Sequence, residues 1–241
     1  MLIRPLLIAI GLLTRVPVAL SAPPSEHELG HSVLAYPVVG LLLGGALAGV
    51  ASVVTAGGVD LQAALLLTFW VGMTGAMHLD GVADSADAWV GGMGSPERTL
   101  AILKEPASGP MAIVTLFLLL LLKWTALKGL LLTGQGMLLL LPPVVGRMGI
   151  LLLFLSTPYV RSQGMGEAAA RTLPRTTGWV LLCLFAVGCF LLHGGLILAG
   201  SLSLFLLLRL QMVRRMGGAT GDSAGAVCEL LETVALVLLV L

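Results

Sequence analysis

The sequence predicts an all-α fold: a polytopic helical bundle integral to a membrane, with about seven transmembrane helices. Three observations carry this. Of the 241 residues, 58% are hydrophobic and only 10% charged, against about a quarter charged in soluble domains, and the mean hydropathy is +1.05. Leu-rich runs of roughly 20 residues recur, the length a helix needs to cross a hydrocarbon core. No segment alternates as barrel strands would, and a bilayer admits few other backbone arrangements.

The elements follow in chain order. Residues 1–30 begin with "MLIRPLLIAIGLLTRVPVALSA", whose basic start, apolar stretch and Ala19-Leu20-Ser21 imitate a secretory signal. Arg15 and Pro17 interrupt the apolar stretch before it is complete, so a retained, interfacial segment is expected. Spans are predicted over 33–56, 61–79, 108–127, 136–157, 178–193, 195–210 and 223–241. The first contains Gly40, Gly44, Gly45 and Gly49, overlapping small-xxx-small pairs that let helices approach closely. The fifth and sixth meet at His193-Gly194-Gly195, which reads as a tight hairpin turn. Segments 80–107, 158–177 and 209–222 are loops. Neither a repeat nor a long linker divides the chain, so 1–241 reads as one membrane-embedded domain. Cys183, Cys189 and Cys228 lie in apolar context without a CxxC pair, the pattern of buried thiols rather than a disulfide framework.

Positive charge orients the bundle. Alternating the spans from a cytoplasmic N-terminus puts Arg4, Arg15, Arg98, Lys104, Arg161, Arg171, Arg175, Arg209, Arg214 and Arg215 on one side. Lys123 and Lys128 fall on the other, and Arg147 inside a span. This is a positive-inside bias, making the first face cytoplasmic. The three loops lie on that face.

The 12 acidic residues are concentrated. "HLDGVADSADAW", His78 to Trp89, holds Asp80, Asp84 and Asp87 at i, i+4 and i+7. On a helix they share a sector of roughly 60°. Carboxylates stacked this way repel unless something neutralises them, and Mg²⁺ suits carboxylate, water and phosphate oxygens. His78 would point to nearly the opposite side of a continuous helix, so either the helix starts near Asp80 or His78 serves another purpose. A second acidic group lies in "TGDSAGAVCELLE". Asp222 shares a face with Glu229, seven residues on, and Glu232 lies deeper. Taken alone, Asp222 reads as an N-cap, whereas an acid within a span is costly and usually functional.

Arg147 in "PPVVGRMGI" is deep for a guanidinium. It either anchors an anionic substrate or neutralises the carboxylates, since its planar fork suits both. "SPERTLAILKEPASGPMA" brings Glu97, Arg98, Lys104 and Glu105 into a polar stretch, and Pro106, Gly109 and Pro110 exclude a long helix there.

Together these segments resemble the adenosylcobinamide-GDP ribazoletransferase, or cobalamin synthase, family. "LLTRVPV" at 12–18 is similar to its N-terminal signature and "YPVVGLLLG" at 36–44 to its first membrane segment. "HLDGVADSADAW" matches H-x-D-G-x-A-D-x-x-D, and "TGDSAGAVCELLE" resembles the late G-D-x-x-G-A-x-x-E motif. Gly146-Arg147 matches a Gly-Arg pair. The family loop K-D-S-R-x-G-x-x-G is altered, with Glu105 for its aspartate and Ala107 for its arginine. A phosphate contact in that loop then falls to Arg98 or Lys104.

The resemblance implies a multi-pass enzyme of the bacterial cytoplasmic membrane, its active site facing the cytoplasm. A hydroxyl of α-ribazole, or of its 5′-phosphate, attacks the cobinamide-side phosphorus of adenosylcobinamide-GDP, and GMP leaves. Mg²⁺ is the implied cofactor, with Asp80, Asp84, Asp87, Asp222 and Glu229 as its ligands. Lys104, Glu105, Arg98 and Arg147 are the implied substrate contacts, and His78 or one carboxylate the general base. The partners are these two substrates and the lipid bilayer, with no nucleic acid; a homo-oligomer is left open. Two rival classes remain. One is a cation-coupled transporter, which also needs intramembrane charge; the other is a lipid enzyme like the CDP-alcohol phosphotransferases.

Overall fold

A computed structural model describes residues 3–55, 57–105, 107–161, 165–193 and 195–241. It is an all-α bundle. Helix α1 (Ile3–Leu13) and helix α2 (Glu26–Val33) precede α3 (Tyr36–Val53) and α4 (Gly58–Thr74). Then come α5 (Met77–Gly91), α6 (Pro96–Ile102), α7 (Pro110–Leu132), a 3₁₀ turn (Gly136–Leu140) and α8 (Leu141–Ser156). Short α9 (Met165–Thr172) leads to α10 (Arg175–His193), α11 (Gly195–Met216) and α12 (Gly221–Leu238).

Among the described residues five helices are long and apolar enough to cross a membrane, or six with α4 and α5 counted as one bent span. About seven spans were expected. The difference is α12, which covers the predicted span 223–241 but carries Asp222, Glu229 and Glu232. It is the central helix, packed most extensively on α5 and α8. Its neighbours shield it from lipid, which is how three acids are tolerated there. Around it, α3 lies on α8, α7 on α4 and α5, and α11 on α12. Helices α7 and α10 turn Phe117, Leu121, Leu122, Leu184, Val187 and Leu191 outward. Apolar surface of this kind suits lipid, not water. The small-residue pair on α3 meets α8 as expected, for a Cβ on Gly40 would stand 2.6 Å from the Pro143 carbonyl oxygen. The hairpin turn expected at Gly194 lies outside the described residues, and α11 continues past its predicted end at 210 to Met216.

One departure shapes the site. The predicted span 61–79 is not continuous: α4 stops at Thr74 and α5 leaves at 87° to it. Gly75 (φ 62) and Ala76 (φ 58) are both left-handed. Gly75 adopts this freely, whereas Ala76 is strained and is the one non-glycine of positive φ among the described residues. The Gly75 and Ala76 amides donate to the Gly72 and Val71 carbonyls and close α4. The Arg15 amide, just beyond α1, donates to the Met73 carbonyl at 2.8 Å and fastens the N-terminal segment to this corner. The loop predicted over 80–107 is instead largely helical, in α5 and α6.

Candidate active site

The aspartates of α5 meet the start of α12. The two helices touch backbone to backbone at Gly81, where a Cβ would overlap the Asp222 carbonyl and stand 3.2 Å from the Ala226 nitrogen. Asp222 is not the cap of α12. Thr220 caps it, its hydroxyl accepting from the Ser223 amide while the Ser223 hydroxyl accepts from the Thr220 amide. The Asp222 carboxylate is thereby free to pair with Arg161, Oδ2 to Nη1 2.9 Å.

Arg161 is held in place by backbone pairing. The Val160 amide donates to the Ala219 carbonyl at 2.9 Å, and the Ala219 amide to the Pro158 carbonyl at 2.8 Å. This segment also brings Tyr159 beside Asp222. Burial, the larger cause, holds the Tyr159 hydroxyl above its ordinary pKa; the charge of Asp222 adds to this and Arg161 opposes it.

Asp84 feels the negative charges of Asp80, Asp222 and Asp87 together, with Arg161 as the opposing cation. The stripe predicted by helical spacing is therefore present, and α12 extends it with a fourth carboxylate. Its lowest member is engaged differently. Asp87 accepts from the Gly109 amide at 2.5 Å and the Ala112 amide at 3.0 Å, so it caps α7. Such a cap satisfies donors that α7 cannot bond internally. Among the described residues no three His, Cys, Asp or Glu side chains converge into a ready metal-holding group.

Beside Asp80 and Asp222 opens a cavity of about 280 Å³. Leu12 and Leu13, Tyr36, Ile150 and Phe154 wall it, and His78 lines it from the first turn of α5. His78 is 2% exposed. It occupies the side of α5 away from solvent, as its helical angle to the stripe required; α5 begins at Met77, so His78 stands inside the helix and the alternative of a start near Asp80 does not hold.

Glu229 and Arg147 lie elsewhere, in the buried middle of the bundle. Lys123 pairs with both Glu229 and Glu232, and Arg147 pairs with Glu232. The Arg147 Nη1 also donates to the Pro143 carbonyl at 3.4 Å. Lys123, expected at the far face, is instead 2% exposed within α7, its ammonium 4.2 Å from the centroid of the Trp70 ring. Arg98, Lys104 and Glu105 are exposed on and just after α6, which packs against α5 and α11. Arg215 of α11 stacks over Trp89 at 5.2 Å. Sequence reasoning missed Arg161 and Lys123 as members of these groups. A lysine within an apolar run was a usable signal for the second; nothing local marked the first.

Fold and site define a polytopic α-helical membrane protein with carboxylates and basic groups gathered at one end of the bundle, around a small, mostly apolar cavity. The chain belongs to the Cobalamin-5-phosphate synthase family, whose pattern matches residues 5–240. It is 51% identical over 235 residues to an adenosylcobinamide-GDP ribazoletransferase of Stutzerimonas stutzeri (strain A1501), covering 97% of this chain and 96% of that one. Its identity is 54% over 229 residues to a protein of the same name from Pseudomonas putida (strain GB-1), covering 95% of each. With that of Pseudomonas paraeruginosa (strain DSM 24068 / PA7) it is 52% over 241 residues, covering 99% of this chain and 98% of the other. No solved structure matches the chain.

Proposed function

We propose that this chain joins adenosylcobinamide-GDP to α-ribazole or its 5′-phosphate, releasing GMP, at the cytoplasmic face of a bacterial inner membrane. The observation that carries the reading is the meeting of α5 and α12 at Gly81, which brings Asp222 near enough for its charge to act on Asp84 together with that of Asp80. Positive charge collected on the loops of that end supports the orientation.

The donor set fits Mg²⁺. Its ligands would be hard carboxylate oxygens, and crowded like charges favour a cation. Mg²⁺ usually binds through one or two carboxylates, several waters and substrate phosphates, so a closed protein cage is not required. Asp84 and Asp222 would hold it. Asp87 is occupied with α7 and Glu229 with Lys123. A cation held there would supply neutralisation of the negative charge on the diphosphate.

The residues of the chain do the rest. Asp80, which lines the cavity and has no ion-pair partner among the described residues, takes the proton of the attacking hydroxyl. Arg161, beside Asp222, and the exposed Arg98 and Lys104 receive the departing phosphate. Phosphoryl transfer needs mainly such positioning and charge neutralisation. Arg147 and Glu229 fix α8, α7 and α12 to one another.

The test is GMP release by the purified, detergent-solubilised chain from adenosylcobinamide-GDP and α-ribazole, with and without Mg²⁺. A transporter yields no GMP without a sealed compartment. A CDP-alcohol phosphotransferase would use CDP-activated donors in preference, and either result would refute the assignment.

A further inference from the structure

Two arginines that the chemistry above does not use meet at the end of α8. Arg209 donates from Nε and Nη2 to the Ser156 carbonyl, at 3.1 and 2.6 Å, and Arg175 donates from Nη2 to the Leu155 carbonyl. These carbonyls belong to the last turn of α8, which cannot bond them internally. Neither guanidinium pairs with a carboxylate among the described residues. A guanidinium carries five N–H donors, so both keep their charge and some of their hydrogen-bonding capacity for another partner.

Next to them, toward the middle of the spans, runs an apolar groove of about 350 Å³ between α8, α10 and α11. Each wall begins one helical turn from the arginine cluster. Leu152 lies four residues before Ser156, Trp179 four after Arg175, and Phe205 four before Arg209. Residues four apart share a helix face, so the guanidiniums head the same faces that line the groove. From there the walls run to Val145 on α8, Ala186 on α10 and Leu198 on α11. That is seven residues in each helix, about 10 Å along the axes, so the groove lies parallel to the spans. Trp179 and Leu202 line it and are also exposed, so it opens outward, where the bilayer lies.

An apolar slot open to hydrocarbon and headed by two unneutralised cations matches a lipid with an anionic head. We infer that this groove holds an acyl chain of an anionic phospholipid, whose phosphate is received by Arg175 and Arg209. Basic pockets between transmembrane helices suit such head groups, and the volume falls within the range of ligand sites. A zwitterionic lipid offers the same chains and phosphate but adds an ammonium group that the arginine pair repels. A soluble phosphate gains nothing from the apolar walls. The bound lipid fastens α10 and α11 to α8, and α10 has few other packing partners.

Lipid retention tests this without any turnover. The purified chain in a neutral detergent is titrated with phosphatidylglycerol, with phosphatidylcholine of the same acyl chains, and with glycerol phosphate. Native mass spectrometry counts the bound lipid, and the unfolding midpoint is recorded alongside. One phosphatidylglycerol is expected to be held about 10- to 100-fold more tightly than phosphatidylcholine, the range for hydrogen bonds to charged groups. It should raise the midpoint, and glycerol phosphate should not. The double variant Arg175→Gln, Arg209→Gln keeps amide donors for the α8 carbonyls and should lose the preference. Arg214→Gln, which removes an exposed charge beyond the groove, should retain it. Ala186→Phe fills the groove and should weaken both lipids; it also covers the case in which the double arginine variant does not fold. Equal retention of the two lipids by the unmodified chain overturns the inference, as does a preference that survives in the double arginine variant. Lipid binding unchanged by Ala186→Phe, or glycerol phosphate binding as tightly as the lipid, removes the groove from the site and overturns it as well. A preference lost equally in Arg214→Gln would mean diffuse surface charge, with the same consequence.

Discussion

Replacing Lys123 with methionine probes the charge group at the centre of the bundle. Lys123 and Arg147 face Glu229 and Glu232, so two cations balance two carboxylates, all of them at most 4% exposed. Methionine has a similar length and is apolar, so little packing volume is lost. What remains is an unbalanced negative charge in the interior, with Glu229 deprived of its lysine. Removing one partner of a buried pair typically costs about 3–5 kcal/mol, and the contact between the Lys123 ammonium and the Trp70 ring is lost as well. The double variant Lys123→Met, Glu229→Gln restores neutrality and should recover most of that loss. Unfolding midpoints in mixed detergent micelles, read by helical circular dichroism, supply both numbers. A single-variant cost below about 1 kcal/mol, the range of exposed pairs, would show that these charges are hydrated and refute the reasoning. So would a double variant no more stable than the single one.

Three further outcomes are expected. Asp84→Asn should abolish Mg²⁺-dependent GMP release while membrane insertion and thermal stability stay near those of the unmodified chain; near-normal turnover sinks its role as a ligand. Gly81→Ala drives a methyl group into the Asp222 backbone, so it should destabilise by about 1–3 kcal/mol, as overpacking does, and lower activity by parting α5 from α12. Asp87→Ala should cost about 0.5–2 kcal/mol, the value of a helix cap; donor KM and Mg²⁺ dependence measured on the folded fraction should hardly change.

Much of this arrangement was legible before any coordinates. Carboxylates at i, i+4 and i+7 on a helix must share a face, and Asp80 and Asp84 do so beside a fourth acid from α12. The positions where expectation and structure part share a physical cause. Spacing reports which side of a helix a residue occupies but not which element arrives there, so Asp87 reads as another ligand until α7 presents its unpaired amides. Asp222 heads an apolar helix and looks like its cap, yet Thr220, two residues earlier, holds that place through its reciprocal bond with Ser223. Charge counting assigned Lys123 to the far loop because it weighs position along the span and ignores pairing. Its partners lie more than 100 residues away in sequence, 106 for Glu229 and 109 for Glu232. The break at Gly75–Ala76 was hidden because the apolar run continues through it. Hydropathy records a preference for lipid and is blind to the left-handed dihedrals that turn the chain.

The meeting of α5 with α12 also sets a timetable for biosynthesis. More than half the chain's length separates the two helices, so a ribosome delivers Asp80 and Asp84 to the translocon long before Asp222 exists. Until α12 arrives, Lys123 and Arg147 are already in the bilayer with their acidic partners still unmade. A chain that ends before α12 therefore leaves Lys123 and Arg147 without Glu229 and Glu232, cations inside apolar helices with no acid to offset them.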